Sequence, residues 1–292
     1  MTAINQSASG LAITEGSSLY YSLLYCTDAQ RSRVQHTLTL IQTMTSALHE
    51  VTEPSVAEKK IHWWHEEIER LVKRDARHPD CVAAQRWLPH RSTAQACIDV
   101  LSVAASERFN PAVNDSEWLE RIQQDYHARI VLVHHALQYD AEDRSNVPIK
   151  YTSMAQGLGQ VDRLLLLPTL LKKGYAIFSD ERFTQCNITP EDLLSLTSGT
   201  EPHSQDKQEA ANNLIHWAMS QANTSLAQAM TDSPFTDKPA SKSLLPMIIM
   251  TTLRQQQVKL WLKKSPNLLR ETVSVTPMRK FISTYRLKRR HA

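Results

Sequence analysis

Apolar residues recur at steps of three and four along most of the chain, the period of an α-helix with one buried face. The clearest stretch is Pro54–Leu71. There Ala57, Ile61, Trp64, Ile68 and Leu71 share one face, while Lys59, Lys60, Glu66, Glu67, Glu69 and Arg70 fall largely on the other. Ser55, with Glu58 three residues on, has the form of a capping box and predicts the helix start. This stretch is an amphipathic core helix with a charged back.

The same period predicts a helix from Asp28 to Val51, capped at Thr27, with Val34, Leu38, Ile41, Met44 and Leu48 inward. It holds Thr37, Thr39, Thr43 and Thr45, mediocre helix formers that propensity alone does not place there. Shorter helices are predicted near Pro79–Leu88 and Thr93–Ser106. Asn114 caps a longer one through Gln138, with Leu119, Ile122, Tyr126, Ile130, Val133 and Leu137 on one face. Pro148–Leu171 reads as very apolar helix, kinked or ended near Pro168. Thr189–Asp192 opens another, and further helices follow at about Gln205–Met230, Ser243–Lys263 and Pro277–Arg290. The division predicted is a loose tail over 1–16 and one helical domain over 17–292.

Only six glycines in 292 residues support an all-α fold, because sheets need turns and turns consume glycine. A net charge of +3 gives no ground for nucleic-acid binding. The four cysteines, Cys26, Cys81, Cys97 and Cys186, have no metal-ligand spacing and read as reduced thiols. The first residues lack the order of a signal peptide and the arginines of a mitochondrial presequence. The apolar runs Leu164–Leu171 and Leu244–Met250 are too short to cross a bilayer. A cytoplasmic protein is expected, peripheral at the inner membrane at most.

Five fragments, in order, resemble the squalene/phytoene synthase family. They are Ser17-Ser18-Leu19-Tyr20-Tyr21-Ser22, the helix from Tyr20 through Gln42, Trp63-Trp64-His65-Glu66-Glu67-Ile68, Thr189–Leu194, and Val275–Lys280. His65 stands where the family usually has arginine. The resemblance implies an isoprenoid-synthase-like helical bundle with a central apolar channel. It also implies two Asp-rich motifs on facing helices, because Mg²⁺ wants carboxylate oxygens and must neutralise a leaving diphosphate. This sequence departs there. Thr45, Ser46 and His49 occupy the first motif, and Met154–Ser179 holds a single acid, Asp162, with Leu164 and Pro168 or Leu170 in aspartate positions. Ala155-Gln156-Gly157-Leu158 with the Leu164…Pro168 spacing is similar to the branch represented by a mitochondrial complex I assembly factor, which also lacks the acids.

The candidate ligand-pocket residues are Ser17, Ser18, Tyr20, Tyr21, Thr45, Ser46, His49, Gln156, Gln160 and Arg163. Thr45, Ser46 and His49 read either as head-group donors or as a drifted former site. Arg163 reads either as a phosphate receiver or as half of a structural ion pair. His62, His65, Glu66 and Glu69 read as a solvated helix face rather than a metal site. His36, His134 and His135 read as surface or core-edge residues. The basic C-terminal stretch, Arg279–Arg290 with Phe281, Ile282, Tyr285 and Leu287 interleaved, offers contact with an anionic membrane or a solvated tail.

The leading expectation is a protein that has lost metal-dependent prenyl transfer. It would bind an isoprenoid or lipid-like ligand or act as an assembly partner, with no cofactor. The second is an active prenyltransferase making a squalene- or phytoene-like product from farnesyl or geranylgeranyl diphosphate. In that case Mg²⁺ would be held by Glu50, Glu53, Glu66 or Glu67. A third is a helical interaction module with a filled core.

Overall fold

A computed structural model describes residues 13–139, 151–175, 177–198, 205–232, 238–271 and 273–291; the side chains of 49 and 238–243 are outside the description. The described residues form helices and no strand. In chain order they are α1 (Ser18–Ser22), α2 (Asp28–His49), α3 (Pro54–Lys73), α4 (Pro79–Ala84), α5 (Arg91–Phe109) and α6 (Asp115–Gln138). These are followed by α7 (Thr152–Lys172), α8 (Asp180–Gln185), α9 (Pro190–Ser198), α10 (Gln205–Thr231), α11 (Lys238–Lys264) and α12 (Pro277–His291). No helix among the described residues is long and apolar enough to cross a membrane. The all-α expectation holds.

Helix α7 is the centre of the bundle, packed against α6 and α10 and touched by α9 and α11. Two glycines set how close it lies. A Cβ on Gly157 would stand 2.7 Å from Leu226 Cγ of α10, and one on Gly159 would stand 2.5 Å from Ile122 Cγ2 of α6. The Gly157-Leu158-Gly159 step is therefore the place where backbones approach. Gly159→Ala is expected to lower stability by up to about 2 kcal/mol. A steric penalty of about 1–3 kcal/mol outweighs the ~1 kcal/mol that alanine brings to a helix. Thermal unfolding would show it as a fall of a few degrees. Helix α7 runs on through Pro168 to Lys172, because the proline removes one hydrogen bond without ending a helix so well packed on both sides.

The threonines of α2 have structural partners. The Thr37 hydroxyl donates to the Arg33 carbonyl at 2.9 Å and accepts Trp87 Nε1 at 3.0 Å in the buried core. Thr43 donates to Asp80 Oδ2 at 2.6 Å, tying α2 to the start of α4. Both contacts need a hydroxyl on α2, and that need overrides propensity. Val34, Leu38, Ile41, Met44 and Leu48 are all buried as expected. At the start of α2, Thr27 and Gln30 form a capping box.

Two expectations for α3 are corrected. Its N-cap is Glu53, with Pro54 in the first turn and no side-chain cap bond, so Ser55 lies inside the helix. Proline fits that position because its missing N–H has no partner there anyway. Glu67 is buried rather than solvated, with its side chain fully removed from solvent. Its Oε1 accepts the backbone N–H groups of Arg77 and His78, each at 2.6 Å, and Oε2 accepts Arg70 Nε at 2.9 Å. Burial disfavours its ionised form, but the donors of His78, Arg70 and Arg77 outweigh that and hold the carboxyl below its ordinary range. The reversal between α3 and α4 is built on this side chain, with Arg74 left-handed at φ 61°. Trp64 is buried and packs on the His78 ring at 5.0 Å, while Trp63 stays partly exposed. The Trp-Trp-His-Glu-Glu stretch thus holds a turn in place.

Helices α1 and α8 have no period long enough to predict. Helix α8 is capped by Ser179 and docks on the start of α6, where its Arg182 pairs with Asp115 and lies 3.9 Å from the Trp217 ring centroid.

Candidate functional site

Between α1, α2, α6, α7 and α11 lies a cavity of about 100 Å³. Leu19, Leu23, Val34, Leu38, Ile130, Leu158 and Met247 supply most of its wall, and Tyr126, Arg129, Asp162 and Arg254 supply its polar end. Helix periodicity explains the shared wall. Val34 and Leu38 are one turn apart on α2, Leu158 and Asp162 one turn apart on α7, and Tyr126, Ile130 and Val133 follow one face of α6. Several of these residues, including Leu19, Tyr126 and Met250, are only half-buried, so the cavity reaches solvent.

The polar end belongs to an ionic network that crosses four helices. The Tyr126 hydroxyl donates to Asp162 Oδ2 at 2.7 Å. Arg254 Nη2 of α11 stands 2.7 Å from Asp162 Oδ1, a charge contact without hydrogen-bond alignment, so Oδ1 and Arg254 Nε keep hydrogen-bonding capacity unused. Arg254 Nη1 donates to Gln257 at 3.1 Å. Arg129 Nε donates to Asp125 Oδ1 at 2.7 Å. Arg163 pairs with Glu107 of α5 and lies 3.8 Å from Asp125 Oδ2. Three carboxylates thus meet three guanidiniums, and the formal charge cancels. The Tyr126 ring lies beneath two of the cations, at 5.4 Å from Arg129 and 6.0 Å from Arg163. Burial and the neighbouring Asp162 carboxylate push its hydroxyl well above the usual tyrosine range, so it remains a proton donor.

This geometry places the sequence candidates. Arg163 is an ion-pair member, and its partners are Glu107 and Asp125 rather than the adjacent Asp162. Ser17 is the N-cap of α1 and accepts the Tyr20 N–H at 3.0 Å. Ser18 is buried, and Tyr20 and Tyr21 form an edge-to-face pair with centroids 5.4 Å apart. From this segment it is Leu19, Ser22 and Leu23 that line the cavity. Thr45 donates back to the Ile41 and Gln42 carbonyls, and lies about 10 Å along α2 from Leu38 at the ordinary helical rise. Ser46 is half-buried beside it, and the His49 side chain lies outside the described residues. Gln156 is half-buried. Gln160 is buried with both amide atoms unpartnered, but it sits two residues before Asp162 and so on the opposite side of α7 from the cavity. Apart from His49, whose side chain is outside the description, none of these candidates lines the cavity.

The histidine expectation needs one correction. His134 is fully buried, with both ring nitrogens unpartnered and its pKa pushed down to about 4, by burial first and by His135 second. It is neutral at physiological pH and packs edge-on against Tyr151 at 6.4 Å. His135 is half-buried and stacks on His90 at 5.3 Å, and His36 is exposed.

The carboxylates that stood in for aspartates are spread out. Glu50 and Glu53 are exposed at helix ends, Glu66 contacts His62 at 3.3 Å on an outer face, and Glu67 is committed to the α3–α4 turn. Among the described residues no group of three His, Cys, Asp or Glu side chains converges as a metal site requires. Nothing in the sequence pattern marks Tyr126, Arg129 and Arg254 as residues that line one cavity. The nearest signal is Arg254 within the otherwise apolar and amide-rich stretch Met247–Val258. Comparisons with known protein families and with curated proteins return no match.

Proposed function

We propose that this chain is a squalene/phytoene synthase-like protein that binds an isoprenoid or other long apolar molecule without catalysing prenyl transfer. The observation that carries the reading is the cavity beside α7, apolar along its walls and closed at one end by a charge-balanced network. Its one carboxylate on α7, Asp162, is engaged by Tyr126 and Arg254. A diphosphate with Mg²⁺ calls for converging free carboxylates. A charge-balanced end instead suits a neutral head group such as a hydroxyl, which needs no counter-charge.

Volume limits the occupant. A cavity that admits benzene measures about 150 Å³, so about 100 Å³ takes roughly one isoprene unit. A longer chain is enclosed along its whole length only if α1 shifts, and α1 is a five-residue helix held mainly by α11 and α12.

The test is a thermal-shift series with geraniol, farnesol, geranylgeraniol and farnesyl diphosphate, with and without Mg²⁺, alongside pyrophosphate release and lipid extraction. Prenyl alcohols are expected to raise the melting temperature independently of Mg²⁺. Leu158→Trp, which fills the cavity from α7, is expected to cut that shift by more than half while the variant stays folded. Mg²⁺-dependent pyrophosphate release with a C30 or C40 product would replace this reading with the active enzyme. No shift with any probe would leave the assembly-partner role, which requires no ligand.

A further inference from the structure

Helix α12 is built inside out. Its inward face carries the buried Lys280 and Thr284 with the half-buried Ser283, and a single apolar residue, the half-buried Leu287, packs there against the core. Lys280 Nζ donates to the Gly16 carbonyl at 2.7 Å, Ser283 exchanges hydrogen bonds with Gln256 of α11 at 2.9 and 3.2 Å, and Thr284 donates to the Lys280 carbonyl at 2.7 Å. The outward face carries Met278, Phe281, Ile282 and Tyr285, which are 74%, 50%, 42% and 49% exposed. These positions are spaced i, i+3, i+4 and i+7 and form one continuous stripe. An amphipathic helix in a globular protein normally turns such a stripe inward. Here polar anchors fix the helix to the Gly16 carbonyl just before α1 and to Gln256 of α11, and the stripe faces away from the core.

Exposed cations border the stripe. Arg279 and Arg286 lie on one flank with Arg290, Lys288 on the other, and Arg289 at its C-terminal end. No acidic residue occurs between Pro277 and His291. Lys288 Nζ sits 4.5 Å from the Tyr25 ring centroid, which draws that flank toward the α1–α2 connection. An outward apolar stripe between rows of arginine and lysine is complementary to an anionic bilayer surface. The apolar side chains enter the headgroup boundary, and the cations meet lipid phosphates.

We infer that α12 docks this protein on anionic membranes, lying in the plane of the surface with Met278, Phe281, Ile282 and Tyr285 inserted. Because α12 packs on α1, docking also brings the α1 wall of the cavity close to the lipid. The inference stands apart from the ligand reading, since membrane binding requires no occupant in the cavity.

Co-sedimentation of the full chain tests it, using phosphatidylcholine vesicles with and without about one-third phosphatidylglycerol. Binding is expected on the anionic vesicles only, weakening as salt rises. The double variant F281S/I282S is expected to lose on the order of 100-fold in partitioning, roughly tenfold for each side chain withdrawn. R286E/R289E/R290E is expected to abolish binding at physiological salt. Because all five side chains are exposed, both variants are expected to keep the wild-type circular dichroism and melting temperature, so that lost binding is not lost fold. Failure of the wild type to sediment with anionic vesicles would overturn the inference, as would unchanged binding of F281S/I282S. A wild-type dimer that F281S/I282S dissociates, with no vesicle binding, would overturn it in favour of a second copy on the stripe.

Discussion

Replacing Asp162 with alanine is expected to lower the free energy of unfolding by about 3–5 kcal/mol, the usual consequence of removing one partner from a buried ion pair. The variant leaves the guanidinium of the buried Arg254 without its counter-charge, and the Tyr126 hydroxyl without its acceptor. Urea denaturation followed by circular dichroism would measure the loss. The double variant D162L/R254M separates the cause from simple loss of contact, because it removes both charges at once. It is expected to recover most of the stability, since apolar side chains of similar size replace buried ion pairs at little or no loss. Recovery smaller than about 1 kcal/mol would mean that Asp162 matters through packing rather than charge. Tyr126→Phe, which removes only the hydroxyl, should cost about 1 kcal/mol.

The second large effect belongs to Glu67. Glu67→Ala is expected to cost about 2–4 kcal/mol, because two short backbone hydrogen bonds to a charged acceptor disappear and the Arg77 and His78 N–H groups lose their partner. Its acid dependence has a definite sign. The folded-state pKa lies below the ordinary value of 4.5, so the folded protein holds the ionised form more strongly than the unfolded chain does. The contribution is complete above that ordinary value and disappears as pH falls through the lowered folded value. Glu67→Gln removes this proton linkage. Stability measured stepwise from neutral pH into the acid range should therefore fall less steeply in the glutamine variant than in the wild type. Parallel curves would show that another group carries the acid sensitivity.

The helices were legible where periodicity ran long. From α2 to α12 the stripes of three and four located each long helix, and Thr27, Asn114 and Thr189 marked starts that the structure bears out. Among the short elements, α4 was announced by Pro79 at its start, whereas α1 and α8 carry too few residues to show a period. Glu67 was misjudged because one-dimensional patterning assigns a carboxylate to the solvated side. Its burial depends on the backbone N–H groups of Arg77 and His78, which no residue pattern displays. The cavity was hidden for the same reason. Its walls come from five helices, and which faces converge is set by close approaches such as Gly159 on Ile122. Within the fragments Ser17–Ser22 and Ala155–Leu158, the candidates Ser17, Ser18, Tyr20, Tyr21 and Gln156 miss the cavity, while Leu19, Ser22 and Leu158 reach it. A helix turns by 100° per residue, so neighbours in sequence point in different directions.

The cavity joins Leu19 to Arg254, residues from opposite ends of the chain. On the ribosome, at about 5–20 residues per second, roughly 10–50 s separate the synthesis of its first wall from that of its last. Until α11 emerges, α1 has neither of its main helical neighbours, and Leu19 and Leu23 have no apolar surface there to settle on. The pocket is therefore among the last features a nascent chain acquires. Its earliest-made wall spends that interval covered at most from the side of Val34 and Leu38, and the rest is a natural target for a chaperone that reads short hydrophobic segments.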